Sequence, residues 1–591
     1  MTMLTGARPL ADPPAGEGGG AAAGTAGKTR PAARRRPSAL AVTLFVLLAG
    51  LVLVPVAMVF FGAFQSKAPG LPGNEFSLRA ILAVYGSPTY LVSLVATLVM
   101  AVVTAALAVG LGGLAAWALA RTDVRLRRTL EVGIILPLFI SPFIGALAWN
   151  LLGAPKSGII NVNLRWMLGT DATFIDIGTV PGVVFVMLLY FLPYAYLIIS
   201  SSLKNMDPSL EEASYINGRG VVETAARVTF PIVRPSLTAA FFMIAVFGTG
   251  MFSIPQVLGI DLGFAPLALQ VYRRMEAYPS DPPVAAALGT LIFWFTLLGI
   301  YFYRRSVRNS RRFVTVGGKG SRRRVVQLGW ARWPVTIVIA LYGFFAAVLP
   351  YFALILMSFT PYAMTDLREL TFSLSSFTTV VTSPDVLTSL WNTLWIALLA
   401  PTIAILIGLG AAYVVTRERG RLGGAIDYVS TFPMAVPGIV FATGIVWLYV
   451  RSPLYATVFL IVITLVASYM PQAMRFASTG LMQVDPSLEE AARMNGAGKL
   501  RSIFSVTMPI ISPSLMSSWL LLFIFAAREV NETVIVAGPH SRPLSVLAWD
   551  YTDAGQITQA AVVGLLLTLV MVLGLVVARL VFRVRLDSEQ L

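Results

Sequence analysis

Long apolar stretches alternate with shorter polar ones along most of the chain. A membrane-spanning helix needs about 20 consecutive, mainly apolar residues, and runs of that length recur twelve times. The pattern predicts an all-α, polytopic membrane protein with about twelve transmembrane helices in two groups of six. The first six predicted spans are 38–64, 89–120, 130–152, 178–203, 236–260 and 284–303, and the second six are 334–359, 386–415, 428–450, 455–474, 513–537 and 558–582.

Composition supports this interpretation and excludes several kinds of site. The chain has 591 residues, of which 57% are hydrophobic and 12% charged, whereas soluble domains carry about 25% charged residues. Cysteine is absent, so no disulfide, thiolate metal site or cysteine nucleophile exists. The single histidine, His540, leaves no histidine cluster. We therefore expect neither a metal site nor a catalytic residue in this chain.

The basic residues indicate how the chain is oriented. A net charge of +16 fits either nucleic acid or an anionic membrane face. Ten of the 44 Lys and Arg residues lie within 304–332, and others flank the first and last spans. With the N-terminus in the cytoplasm, the basic but not the acidic residues concentrate on the cytoplasmic side, which is the positive-inside pattern. We expect a multi-pass protein of the bacterial cytoplasmic (inner) membrane with both termini cytoplasmic, and no nucleic-acid partner.

A polar segment occurs twice, once in each half. Residues 207–237 and 485–515, called the repeat loops below, align without a gap and share 17 of 31 residues. Further upstream, Pro137 and Arg121 correspond to Pro433 and Arg417. Because six predicted spans separate the copies, both repeat loops face the same side of the membrane. The chain is therefore a parallel tandem repeat.

Each repeat loop predicts a short helix, a glycine turn and a second short helix. Asp207-Pro208 suits a helix N-cap followed by proline, and glutamates in the first turn suit the helix dipole. Gly218 would end the first helix, and the second would stop near Pro231 and Pro235. The other copy repeats this arrangement with Asp485, Gly496, Pro509 and Pro513. Two such matched projections suit a partner with two matched sockets, although an amphipathic loop that packs on its own spans has the same pattern.

These loops resemble the cytoplasmic loop of binding-protein-dependent permeases of type I ABC importers. The family pattern is Glu-Glu-Ala, with a glycine five positions after the alanine and a proline 13 positions after that glycine. The family usually has a second alanine, which Ala492 retains and Ser214 replaces. In the family this loop couples the permease to the ATPase subunit. The residues to which the resemblance assigns that role are Glu211, Glu212, Ala213, Gly218 and Pro231 in the first copy, and Glu489, Glu490, Ala491, Gly496 and Pro509 in the second.

The resemblance implies two fused permease units. The expected divisions are a disordered cytoplasmic tail, 1–37; a first unit, 38–303, with its core at 89–303; a basic cytoplasmic linker, 304–333; a second unit, 334–582, with its core at 387–582; and a tail, 583–591. A fused pair is similar to the ferric-iron permease subfamily. The stretches that carry this softer similarity are 252–255, Tyr278-Pro279, 285–287, Arg528-Glu529 and 544–550.

The resemblance also implies what the chain lacks and which partners it needs. No complete phosphate-binding loop occurs, so the chain is a transport subunit and not an enzyme. ATP and Mg would bind to a separate ATPase subunit, expected in two copies, and an extracytoplasmic binding protein would deliver the solute. Ferric iron is the best match; thiamine, phosphonate, polyamine or another small solute remain alternatives. From another class, an ion-driven secondary transporter also often has twelve spans.

Three ionisable residues fall inside a predicted span. Arg528, Glu529 and Glu532 would each cost about 2.5–3.5 kcal/mol at a helix centre on insertion scales. Arg528 and Glu532 are four residues apart and could pair along one helix face. They either line the translocation path or form a neutral pair that fastens helices together. The glutamates would tolerate a passing cation, whereas Arg528 would suit an anion.

Overall fold

Helices account for nearly all regular structure in the computed structural model, which describes residues 38–259, 265–310, 326–418 and 421–582. Ten helices are long and apolar enough to cross a membrane, and two bent helix pairs bring the total to twelve in the described part of the chain. The prediction of an all-α polytopic membrane protein is confirmed. The predicted tails, 1–37 and 583–591, lie outside the described residues, as does 311–325 of the predicted linker.

The two halves share most of their helices in the same order, but helix 159–168 has no counterpart in the second half, and helix 221–249 corresponds to 499–502 together with 505–528. In the first half the helices are α1 Ala39–Ala63, α2 Arg79–Tyr85, α3 Pro88–Arg121, α4 Arg127–Phe139, α5 Pro142–Gly153, α6 Ile159–Leu168, α7 Val180–Lys204, α8 Ser209–Ile216, α9 Val221–Thr249, α10 Ser253–Val257, α11 Leu267–Glu276 and α12 Pro282–Ser310. In the second half they are α13 Gly329–Ser358, α14 Ser375–Thr382, α15 Pro384–Glu418, α16 Arg421–Ala435, α17 Gly438–Tyr449, α18 Val458–Met482, α19 Pro486–Met494, α20 Lys499–Ser502, α21 Ser505–Arg528, α22 Thr533–Val536, α23 Leu544–Asp553 and α24 Ile557–Phe582.

Two predicted spans are broken and not straight. The pair α4 and α5 bends by 100° at residues 140–141, and the pair α16 and α17 bends by 107° at 436–437. Pro137 and Pro142 flank the first bend, and Pro433 precedes the second bend, which itself contains Pro437. Proline cannot donate the helical hydrogen bond and clashes with the preceding turn, so the predictions of continuous helices over 130–152 and 428–450 are wrong.

The prolines of the repeat loops, in contrast, do not end their helices. The helix that follows Gly220 runs from Val221 through Pro231 and Pro235 to Thr249, so the predicted stop at these prolines is wrong. Pro231 lies in the first turn after a π-helical segment, where an absent N–H is tolerated. The predicted spans 236–260 and 513–537 are correspondingly shifted, because their helices end at Thr249 and Arg528.

Small residues allow the central helices of each half to pack closely. A Cβ added at Gly112 in α3 would lie 3.0 Å from the Cβ of Ala195 in α7, and one at Gly408 in α15 would lie 2.9 Å from Ala473 in α18. These two contacts occupy equivalent positions of the repeat. Close approach through glycine and alanine is a typical means of helix association in lipid, and it gives both halves the same core.

The first helix of each half packs against the other half. Helix α1 contacts α12 of its own half and α17 of the second, and α13 contacts α24 of its own half and α5 of the first. The segment before α13 also reaches the first half, since Val326 N donates to Arg121 O (2.9 Å) and Asp123 N donates to Val326 O (3.1 Å). Correspondingly, Ser38 Oγ donates to Glu418 Oε2 (2.6 Å). The halves are thus joined reciprocally.

Candidate functional site: the repeat loops and the cavity between the halves

The repeat loops have the predicted helix–glycine–helix form. Asp485 caps α19 by accepting from Ser487 N (2.9 Å), and Asp207 accepts from Ser209 N at the same distance. These backbone hydrogen bonds lower the pKa of both aspartates. Gly218 and Gly496 adopt φ values of +79° and +83°, which non-glycine residues rarely adopt. The glycine spacing in the sequence therefore marked real turns.

The first glutamate of each Glu-Glu pair is buried beneath its loop. Glu211 Oε2 lies 3.2 Å from Arg121 Nε at the end of α3, and Thr229 donates to its Oε1 at 2.6 Å. In the second half, Glu489 Oε1 lies 3.6 Å from Arg417 Nε and accepts from Thr507 at 2.9 Å. Because each arginine also donates to carbonyls at the end of α7 or α18, the glutamate fixes its loop to the two central helices.

The neighbouring residues instead face outward. Glu490, Ala213 and Ala491 are exposed and Glu212 is half-buried. Apolar side chains accompany them at equivalent positions, and large exposed apolar groups outside the lipid-facing helices mark interaction surfaces. This exposed apolar set comprises Leu210 and Ile216 in the first loop, and Leu488 and Met494 in the second. Pro231 and Pro509 lie at the base of the loops and are also exposed.

A cavity of about 200 Å³ lies between the halves, at the level of the two helix bends. Tyr190 and Tyr194 of α7 line it from one half, and Tyr469 and Gln472 of α18 line it from the other. These residues stand near the middle of 25-residue helices, so the cavity lies at mid-depth. Such a mid-depth site at a repeat interface, beside interrupted helices, is where transporters bind their cargo.

Arg528 ties the second half to the bend of the first. Its Nη1 donates to Ile140 O (2.7 Å), its Nη2 donates to Tyr194 Oη (2.9 Å), and its guanidinium lies 5.0 Å from the centre of the Phe525 ring. The predicted pairing with Glu532 along one helix face is wrong, because α21 ends at Arg528 and the backbone is extended at Glu529. Glu532 instead accepts from Ser468 Oγ (2.7 Å).

Glu529 and Glu532 line the cavity together with Arg528. Glu529 Oε1 accepts from Asn531 N (2.8 Å). A Cβ added at Gly438, the first residue of α17, would lie 2.5 Å from Glu532 Oε1. Glycine at that position therefore makes room for the carboxylate at the positive end of a helix dipole.

An aromatic cluster adjoins the cavity through Phe143, which is one of the lining residues and packs against Trp549. Phe143, Phe252, Tyr272 and Trp549 are each at most 7% exposed. The Phe252 and Tyr272 rings stack with centres 4.8 Å apart, and Trp549 Nε1 donates to Tyr272 Oη (2.9 Å). Since Tyr272 lies on α11 and Trp549 on α23, this cluster is a contact between halves that sequence reasoning missed.

Other cavity residues were also missed, although the repeat contained a signal for them. Residues 278 positions apart are equivalent in the two halves. Both members of two such pairs line the cavity, namely Phe191 with Tyr469 and Tyr194 with Gln472. Tyr194 of α7 lines the cavity, whereas Tyr196 of the same helix is buried outside it. Comparison of these positions would have singled out Tyr469 and Gln472. Inside the membrane, Tyr469 stands where the first half has Phe191, and Gln472 stands where it has Tyr194, so the second half has the more polar side chain at both.

Comparison with known proteins now adds to this geometry. A family described as binding-protein-dependent transport system inner membrane component matches residues 404–585. The molybdate/tungstate transport system permease protein WtpB of Pyrococcus abyssi is 30% identical over 168 residues, which are 28% of this chain and 67% of that protein. The chain belongs to this permease family. It is therefore an inner-membrane component of a binding-protein-dependent transport system.

Two relatives match the permease over longer stretches than WtpB does. The ferric transport system permease protein FbpB of Actinobacillus pleuropneumoniae is 27% identical over 452 residues, 74% of this chain and 63% of that protein. The permease thus matches less than two thirds of that relative's length. The Fe(3+)-transport system permease protein FbpB 2 of Haemophilus influenzae is 25% identical over 537 residues, 89% of this chain and 95% of that protein. The resemblance to a fused, iron-type permease extends over both halves.

Proposed function

We propose that this permease imports ferric iron delivered by an extracytoplasmic binding protein, with energy from a separate ATPase subunit. The ATPase would dock as two copies, one on each repeat loop, and would hold ATP and Mg; the permease would hold no cofactor of its own. Both termini and the repeat loops would face the cytoplasm. The cargo would cross through the cavity between the halves.

The observation that carries this proposal is that the chain has two equivalent repeat loops and one cavity between its two halves. Each loop is rigid, because a buried glutamate–arginine pair holds it to the central helices. Each also presents the same exposed apolar positions, which include Ile216 and Met494. A push on either loop would be carried by α3 and α7, or by α15 and α18, to the level of the cavity. An ion-driven transporter has no need of such loops.

Ferric iron is supported by two independent features. Two relatives that cover most of the chain are named as ferric permeases, and carboxylates line the cavity. Hard cations prefer such oxygen ligands.

The test is uptake by proteoliposomes that contain the permease together with the ATPase and binding protein encoded beside it. We expect entry of radioactive iron from the loaded binding protein only when ATP and Mg are supplied on the ATPase side. Unlabelled thiamine, phosphonate and polyamine should not compete. Uptake driven by an ion gradient without ATP would establish the secondary-transporter alternative, and competition by another solute would replace iron as the cargo.

A further inference from the structure

The two halves contribute unequally to the cavity. The repeat places Gly250, Met251 and Ser253 of the first half opposite Arg528, Glu529 and Asn531 of the second. Every Asp, Glu, Lys or Arg among the cavity-lining residues therefore belongs to the second half. This asymmetry indicates that one half holds the cargo while the other closes around it.

The one cationic side chain of the cavity is already engaged. Both terminal nitrogens of Arg528 donate to the first half, to Ile140 O and Tyr194 Oη, and no ion pair within 4 Å joins Arg528 to a carboxylate in the described structure. These bonds use two of the five N–H donors of the guanidinium, and both hold it against the first half. Arg528 is therefore a positioning residue that holds the interface together, and the carboxylates face the cavity without an ion-pair partner.

Unpartnered oxygen atoms adjoin the same carboxylates. Tyr469 Oη, Gln472 Oε1 and Asn531 Oδ1 of the second half, and Tyr190 Oη of the first, are buried and have no hydrogen-bond partner in the part of the chain that the structure describes. Tyr469 is only 6% exposed. Leaving such groups unpaired costs about 1–3 kcal/mol each, and native structures retain few of them. Four such atoms in one cavity, three of them in the second half beside the carboxylates, indicate that a ligand satisfies them.

We infer that Glu529, Glu532, Tyr469, Gln472 and Asn531 form a transient subsite for a hard, multivalent cation, all within the second half. Carboxylate, amide and phenol oxygens suit such ions, and the two negative charges offset part of the cation's desolvation cost. For the identity of the cargo, this inference rests on the proposed iron import. Iron would accordingly cross as a cation released from its anionic ligands, and not as an anionic complex held by Arg528.

Binding of Tb³⁺ to the purified full-length permease in nanodiscs tests the subsite directly. Tb³⁺ is a hard trivalent ion, and Tyr469 would sensitise its luminescence. We expect Glu529→Gln and Glu532→Gln each to weaken Tb³⁺ binding at least tenfold, and the double variant to abolish the saturable signal. Tyr469→Phe should reduce the luminescence per bound ion. Glu131→Gln is the matched control, because this membrane carboxylate pairs with Lys204 (3.5 Å) outside the cavity and its loss should leave Tb³⁺ affinity unchanged.

Two further measurements keep the inference separate from the proposed function. Arg528→Lys should retain Tb³⁺ binding but lower the thermal unfolding midpoint, and millimolar molybdate should not compete. Unchanged Tb³⁺ affinity in a folded double variant would overturn the subsite, even if wild-type proteoliposomes import iron. Conversely, if Tb³⁺ binding depends on the glutamates but iron is not imported, the subsite stands and the iron assignment fails.

Discussion

At the scale of single residues, adjacent glutamates of the same motif have different roles. Glu211 and Glu489 lie beneath the loops and pair with Arg121 and Arg417, whereas Glu490 is exposed to solvent. The motif alone could not separate them, because both positions fall in the first turn of a helix. Burial and the arginine at the end of the preceding central helix make the distinction.

This separation predicts opposite effects for two similar substitutions. Glu489→Ala leaves Arg417 partly buried without its carboxylate, and breaking such a pair costs about 3–5 kcal/mol, so the loop should loosen. Glu490→Ala should leave the fold unchanged and weaken only ATPase association. Hydrogen exchange of residues 485–507 and co-purification with the ATPase measure the two effects. Equal protection of the loop in both variants would contradict the assignment.

At the scale of elements, the repeat loops turn at glycine for a conformational reason and not for lack of space. A Cβ at Gly218, Gly220, Gly496 or Gly498 would meet no atom within 4 Å. Of these four glycines, only Gly218 and Gly496 have positive φ. Each loop therefore provides its own control position two residues from the turn.

We expect Gly496→Ala to strain the loop and Gly498→Ala to be tolerated. The left-handed conformation costs an L-residue about 1–2 kcal/mol, so Gly496→Ala should shift α19 relative to α20 and reduce ATP-driven transport while insertion stays normal. Transport rate and ATPase binding of both variants, at equal expression, provide the measurement. If the two substitutions act alike, the turn conformation does not position the loop.

At the scale of the whole molecule, the two halves form one interlocked unit. Each first helix packs on the other half, and the chain before each first helix bonds to the last residue of α15 or to the end of α3 and the turn that follows it. Both contacts adjoin the arginine that holds a repeat loop. The arrangement couples the two loops mechanically, and it requires both to lie on one face of the membrane.

The absence of cysteine makes this topology testable by single-cysteine labelling. Asn217→Cys lies on the first repeat loop and Ser280→Cys lies between α11 and α12, and both positions are exposed. In intact cells with a permeable outer layer, an impermeant maleimide should label Ser280→Cys but not Asn217→Cys. After membrane disruption both should react. Labelling of Asn217→Cys in sealed cells would reverse the predicted orientation.

The sequence by itself determined the features that depend on local pattern and composition. Apolar length decided the membrane class and nearly all spans, and the repeated Asp-Pro-Ser-Leu-Glu-Glu-Ala segment decided the tandem architecture and the loops. These follow from the chemistry of neighbouring residues. Tertiary structure alone decided that Arg528 bonds to Ile140 and that Glu532 bonds to Ser468. Those outcomes depend on contacts between residues 64 to 388 positions apart, which a pattern along the chain does not contain.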